Sequence, residues 1–324
     1  MKKLRVLWTI LIFGLLLAGC GQKSADLQEG AVAPDATLFE NGMKYLEKSQ
    51  FIKARLAFQT LVNTYPDSEY TPVAFLSIAD SYYREGGTEN LLQAEAQFKD
   101  FIIFYPTHEM ADDAQMKIAA INFRLMRPPD RDPTYARKAE QELQKLLSDY
   151  PDSELSPTAR EFLRDVRENL ALGVHQKAEF YFNRGRFLAS EDRFREVLEK
   201  YENFSQADVT NFLLARSLEE LNRIDEAATR YAILVKEYPF SQHADQAREK
   251  LILLEKPIPE VDEEKARIHA ANRRMESFSF WDPVRSVWRT FTGGPDPYEV
   301  ARQRAEERKN LDAEGGKEVT QNQP

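Results

Sequence analysis

Two stretches of the chain are near copies of each other: NTYPDSEYTPVA, from Asn63 to Ala74, and SDYPDSELSPTA, from Ser148 to Ala159. Weaker echoes occur in IFYPTHEMADDA from Ile103, KYENFSQADVTN from Lys200 and KEYPFSQHADQA from Lys236. A chain that writes one phrase five times is built from copies of one unit. Each unit must bury its apolar face against its neighbours, which confines the fold to a stacked array.

The spacing before the phrase identifies the unit. Gly42, Tyr45, Ala54 and Phe58 stand 24, 21, 12 and 8 residues before Pro66, and Ala215, Leu218, Ala227 and Tyr231 stand at the same distances before Pro239. Ala178, Tyr181, Ser190 and Phe194 keep these offsets from Glu202, a copy without its proline. Small, large, small, large and then Pro is the tetratricopeptide pattern. The small residues let two antiparallel helices approach, and the large ones fill the angle between them. Proline then ends the second helix, because it has no N–H to donate and its ring clashes with the preceding turn. The residues that follow, Asp67 and Ser68 or Asp152 and Ser153, are candidate caps for the next helix.

Two further copies fit with insertions. Ala79, Tyr82, Ala94, Phe98 and Pro106 match if EGGTENLLQ holds three extra residues between helices, and Ala120, Phe123, Ala139, Leu143 and Pro151 match if RPPDRDP lengthens a turn by seven. The expected fold is all-α: a tetratricopeptide superhelix of about five hairpins over residues 35–256, closed by a capping helix within Ser241 to Lys256. Residues 257–292 read as a linker and a basic-aromatic segment, and residues 293–324 as a charged, disordered tail.

The first twenty residues follow another logic. Lys2, Lys3 and Arg5 precede an apolar run from Val6 to Leu17 that closes on LLAGC, with the single cysteine at Cys20. A basic start, a short apolar middle and small residues form an export signal over residues 1–19, and the run is shorter than the roughly 20 residues that span a bilayer. LLAGC resembles the lipobox of bacterial lipoproteins, which implies a lipid on Cys20 as the covalent anchor. Gly21, rather than Asp, follows it; by the same resemblance the expected location is the periplasmic face of the outer membrane. Residues 20–34 then serve as a flexible tether. Loss of residues 1–19 removes three basic groups and no acid, which moves the formal charge from −9 to −12. So acidic a chain is a poor partner for nucleic acid.

Beyond the generic pattern lie DRDP followed by AR, R-x-x-LA, and AEFY followed by RG, between Asp130 and Gly185. With the lipobox, these features resemble the BamD family of outer-membrane β-barrel assembly lipoproteins over roughly residues 20–250. One departure is Val174, where that family often has an acidic residue. The resemblance implies a non-enzymatic role in inserting barrel proteins, with BamA and other assembly subunits as partners and unfolded outer-membrane β-barrel proteins as clients. It implies a BamA contact around Arg184, Arg186, Asp192 and Arg193, a charged cluster at a helix-to-helix turn; a clamp on carboxylates and an ordinary solvated turn both fit these residues. A different envelope scaffold lipoprotein, for pilus secretin assembly or cell-wall coordination, is the alternative.

A client groove follows from the repeat itself, since the first helix of each hairpin lines the concave face. Positions beside the packing ladder are Phe39, Met43 and Leu46, then Leu76, Asp80 and Tyr83, then Lys117, Ile121 and Arg124. Their apolar start and charged end suit an extended peptide with aromatic side chains and a free carboxylate; packing between repeats is the competing reading. In the tail, Phe280, Trp281, Trp288 and Phe291 concentrate aromatic groups among basic ones, and Val284, Val287, Trp288 and Phe291 would share one face of a helix. That face could fold back on the last repeat, enter a partner groove or lie on lipid headgroups.

No catalytic constellation is present in the sequence. His108, His175, His243 and His269 stand singly, without a second ligand at metal spacing, and the phosphate-binding and nucleophile motifs are missing. No cofactor is expected apart from the lipid, and no enzymatic activity.

Overall fold

The computed structural model describes residues 33–273, which form twelve α-helices. Five hairpins follow in order: α1 (Pro34–Glu47) with α2 (Phe51–Thr64), α3 (Thr71–Glu85) with α4 (Thr88–Phe104), α5 (Ala111–Leu125) with α6 (Thr134–Asp149), α7 (Ser156–Asn183) with α8 (Phe187–Lys200), and α9 (Ala207–Glu220) with α10 (Ile224–Glu237). Helix α11 (Ala244–Leu253) closes the stack, and α12 (Glu263–Arg273) comes after it. Contacts between helices run mainly from each helix to the next, as in a solenoid.

The small and large positions meet as the spacing requires. Ala54, Ala79, Ala94, Ala139, Ala178, Ala215 and Ala227 are buried, as are Phe58, Phe98, Leu143, Phe194 and Tyr231. At Gly42 the approach is closest: a Cβ there would lie 2.5–2.8 Å from the Phe58 ring. Tyr181 departs from the pattern, being more than a third exposed and packed edge-on against Phe180.

The repeated phrase ends each second helix in one geometry. Tyr65, Tyr105, Tyr150 and Tyr238 all leave the helical region at φ between −125° and −132°, while each N–H still donates to the carbonyl four residues back. Proline enforces this by excluding the helical conformation from the residue before it. Tyr201, with no proline after it, adopts φ −127° and ψ 71° all the same. There the turn is held by packing of Tyr201 and Phe204 on Ala171 and Val197, and by the Phe204 N–H donating to the Tyr201 carbonyl.

The serines do not cap the helices that follow, as the sequence suggested. Ser68 and Ser153 accept the N–H groups of Tyr70 and Leu155, which precede α3 and α7, and each hydroxyl donates backward across a whole repeat. Ser68 Oγ reaches Asp35 at 2.6 Å and Ser153 Oγ reaches Asp112 at 2.5 Å, while Ser205 makes the same bond to Glu168. The second, fourth and fifth hairpins are thus each tied to the first helix of the preceding hairpin by a charge-assisted hydrogen bond.

The insertions fall differently from expectation. Only Gly86 and Gly87, both at positive φ, separate α3 from α4, so the extra residues of EGGTENLLQ lengthen α4 to 17 residues instead of the turn. RPPDRDP does form a long connection between Leu125 and Thr134, and Asp132 accepts both the N–H and the hydroxyl of Thr134 as α6 begins. The sequence reading missed the length of α7, 28 residues against 14 for its partner α8. At 1.5 Å per residue it is about 42 Å long. Its first half packs Phe162, Val166 and Leu170 with α5 and α6, and its second half packs Ala171 and Ala178 into the last two hairpins.

Past the expected boundary at Lys256, α12 folds back onto α10. Ala266 is buried, Lys265 pairs with Glu237 at 2.6 Å, and His269 stacks on Tyr238 with ring centroids 4.1 Å apart. Cys20 and the aromatic positions Phe280, Trp281, Trp288 and Phe291 lie outside the described residues.

Candidate functional site: an aromatic turn and a charged floor

Two surfaces among the described residues bear on the expected sites. The first is the turn between α7 and α8, where Gly185 at φ 67° reverses the chain. Around it Phe180, Tyr181 and Leu188 are 51%, 37% and 64% exposed. Phe182 and Phe187 pack edge-on beneath them, with ring centroids 5.7 Å apart. Arg184 lies over the Phe180 ring at 4.3 Å, a cation–π contact. Arg186 immediately precedes α8, and Arg184, Arg186, Asp192 and Arg193 are all exposed. The four do not form one cluster: Arg184 covers Phe180, whereas Arg193 pairs with Glu196 at 2.6 Å. The aromatic and aliphatic groups beside them were missed as site residues, because Tyr181 sits at a position that packs inward in other repeats. An Arg-flanked aromatic surface of this kind is typical of the residues that dominate protein interfaces. Val174 gives this region no charge; it packs on the core beside Ala171 and Val197.

The second surface is narrower than the sequence suggested. Phe39, Met43, Leu46, Leu76 and Ile121 are buried inside the stack and do not line a groove. The physical reason is that the first helices are themselves interior: eleven of the fifteen residues of α5 are buried, including Gln115, Lys117 and Asn122. Asp80 and Lys117 are buried against each other at 2.8 Å, with Asp113 3.0 Å from the same ammonium. Burial alone would discharge Lys117, but the two carboxylates outweigh it and hold its pKa above the ordinary lysine value. Burial also pushes Asp80 upward, an effect that Lys117 only partly offsets. Lys117 is therefore neutralised within the fold, which removes it as a receptor for a free carboxylate. Tyr83 and Arg124 are the two of these nine positions that keep partial exposure, and Arg84 beside them is exposed. Burial raises the Tyr83 hydroxyl pKa and keeps it a neutral hydrogen-bonding group.

The histidines serve packing. His175 is buried between Phe194 and Phe204 and bonded to Thr210 at 2.9 Å, and burial lowers its pKa to about 4, with Asp208 opposing. His243 stacks on Phe212 at 4.2 Å and His108 packs edge-on against Phe101. Among the described residues, no group of His, Cys, Asp and Glu could hold a metal ion, and no helix is long and apolar enough to cross a membrane.

Stacked helical hairpins, small-large packing and a Tyr-ended second helix define a tetratricopeptide-repeat protein, and a tetratricopeptide model matches residues 210–241. The chain belongs to the YfiO family of outer membrane lipoproteins, whose model matches residues 32–215. It is similar to proteins named outer membrane protein assembly factor BamD. The one from Rickettsia prowazekii is 25% identical over 242 residues, 75% of this chain and 94% of that protein. The one from Neisseria gonorrhoeae is 22% identical over 262 residues, 76% of this chain and 96% of that protein. Similar solved structures include the TPR2AB domain of yeast Sti1 in complex with pHSP90, at 15% identity and TM-score 0.36, covering 75% of this chain and 98% of that one. The MamA protein is another, at 14% identity and TM-score 0.28, covering 69% and 97%. The family is one of assembly factors, not of enzymes.

Proposed function

We propose that this chain is a non-catalytic subunit of the outer-membrane β-barrel assembly machine. A lipid on Cys20 holds it at the periplasmic face of the outer membrane, its later repeats dock on BamA, and its early repeats receive unfolded barrel proteins. The family membership and the names of its relatives support the assembly role. The observation that carries the docking reading is the α7–α8 turn, where Phe180, Tyr181 and Leu188 are exposed beside Arg184 and Arg186. Burying these three side chains, each already partly covered, on a partner would contribute about 1 kcal/mol apiece, roughly half the figure for a fully exposed group. The surrounding arginines would pair with carboxylates at the rim, with Asp192 and Arg193 one to two turns farther along α8. For the client, Tyr83 and Arg124 offer a ring, a hydroxyl and a guanidinium, chemistry that suits a segment with aromatic side chains and a terminal carboxylate.

Site-specific photocrosslinking in cells tests both surfaces. A crosslinker at Phe180 or Leu188 is expected to capture a periplasmic domain of BamA, and one at Tyr83 to capture nascent barrel proteins. Capture of a pilus secretin or a cell-wall protein at Leu188, with none of BamA, would replace this reading with the scaffold alternative.

A further inference from the structure

The DRDP segment belongs to neither surface, and its position points to another role. The connection from Met126 to Pro133 crosses the middle of α7. Asn169 Nδ2 donates to the Arg127 carbonyl at 3.4 Å, and a Cβ placed on Gly173 would sit 2.5 Å from the Pro129 carbonyl oxygen. A glycine in a helix interior weakens the helix relative to alanine, so it needs a packing reason, and close approach of another backbone is such a reason. The crossing point coincides with the change of partners along α7. Just before it, Phe162, Val166 and Leu170 pack with α5 and α6; just after it, His175 and Ala178 pack with the last hairpins. On another side of the same stretch, Ala171 packs with Val197 and Phe204.

We infer that the α5–α6 connection and Gly173 form a joint that sets the angle between the first three hairpins and the last two. A helix of about 42 Å bends readily over its length unless it is braced from several sides. Here α6, the connection and the α8–α9 turn brace it at one level. A tilt of about 10° at this point, midway along α7, would carry the end of the roughly 21 Å arm beyond it about 4 Å, and the hairpins packed farther out by more. The geometric inference stands on the fold alone. Its consequence rests on the proposed function: client and BamA would each still bind, but at the wrong separation for transfer.

The test is a distance measurement by pulsed electron resonance on the full chain with C20S, spin-labelled at Gln59→Cys in α2 and Glu249→Cys in α11. Gly173→Ala is expected to shift or broaden the distribution by several ångströms, and Asn169→Ala to broaden it less. A well-folded Gly173→Ala protein with the parent distribution would overturn the joint, as would a parent distribution that is already broad. Should Gly173→Ala fail to fold, Asn169→Ala and Pro129→Gly carry the measurement, and unchanged distributions in both overturn it. Separate binding of BamA and of a client peptide to the shifted variant, with barrel assembly lost, would establish the consequence. Failure of either partner to bind the parent protein counts against the proposed function and leaves the distance result standing.

Discussion

Replacing Lys117 with Met removes the ammonium that lies 2.8 Å from Asp80 and 3.0 Å from Asp113, at a site where Lys117 and Asp80 are each only 9% exposed. Methionine fills nearly the same volume and keeps the apolar contact with Phe98, whose ring lies 5.5 Å from the ammonium in the parent. The perturbation is therefore electrostatic more than steric. Breaking a buried pair from one side leaves a carboxylate without its counter-charge, which costs about 3–5 kcal/mol. For a domain of this size each kcal/mol lowers Tm by about 2–4 °C, so a loss of roughly 12 °C is expected. The pH dependence provides the sharper test. Burial already raises the Asp80 pKa with the lysine present, and removing the lysine raises it further. The folded variant then binds a proton more readily than the unfolded chain, so its deficit against the parent shrinks as pH falls from neutrality towards about 4. Asp80→Asn with Lys117→Met, which removes both charges, is expected to recover most of the loss. Thermal melts by circular dichroism between pH 7.5 and 4.5 read all three. A single variant that melts within about 2 °C of the parent at pH 7, or whose deficit does not shrink with acid, would refute the reasoning.

Other perturbations probe separate parts of the fold. His175, whose folded pKa of about 4 lies below its unfolded value, contributes stability that is complete above about pH 6.5 and is lost as pH falls to about 4. At about 1.4 kcal/mol per unit the parent should lose roughly 3 kcal/mol over that window, and urea melts of His175→Leu should show a correspondingly flatter profile. Gly42→Ala places a methyl against the Phe58 ring and should cost about 1–3 kcal/mol, partly restored by Phe58→Leu in the same chain. Phe180→Ala with Leu188→Ser should leave Tm within about 2 °C of the parent, because both side chains are exposed, while capture of BamA in pull-downs falls at least tenfold.

The hairpins were legible because the packing code is local. Gly42 against Phe58 appears in the spacing of one helix and the next, and Ala227 one turn before Tyr231 appears within a single helix; the structure buries both pairs. The groove was not legible for a complementary reason. Whether Leu76 or Ile121 faces solvent depends on how closely successive first helices stack, which no residue of either helix states alone. Lys117 shows this most clearly, since a lysine reads as exposed until Asp80, 37 residues earlier, is seen to neutralise it. The continuous α7 was hidden because the repeat offsets describe only its second half, around Ala178 and Tyr181, and say nothing of the stretch between Ser156 and Val174 that extends the same helix. The exposed aromatics at 180 and 181 were hidden by the repeat itself, which assigns Tyr181 an inward role.

The backward hydrogen bonds from Ser68, Ser153 and Ser205 span 33, 41 and 37 residues, little more than one hairpin each. Each of these three ties is therefore made between segments that emerge close together in time. Low sequence separation of contacts makes folding fast, and a nearest-neighbour array can grow from one end without waiting for the other. As the chain emerges N-terminus first, Asp35 receives its partner when the second hairpin begins and Asp112 when the fourth does. The array is therefore complete almost as soon as its last hairpin is delivered.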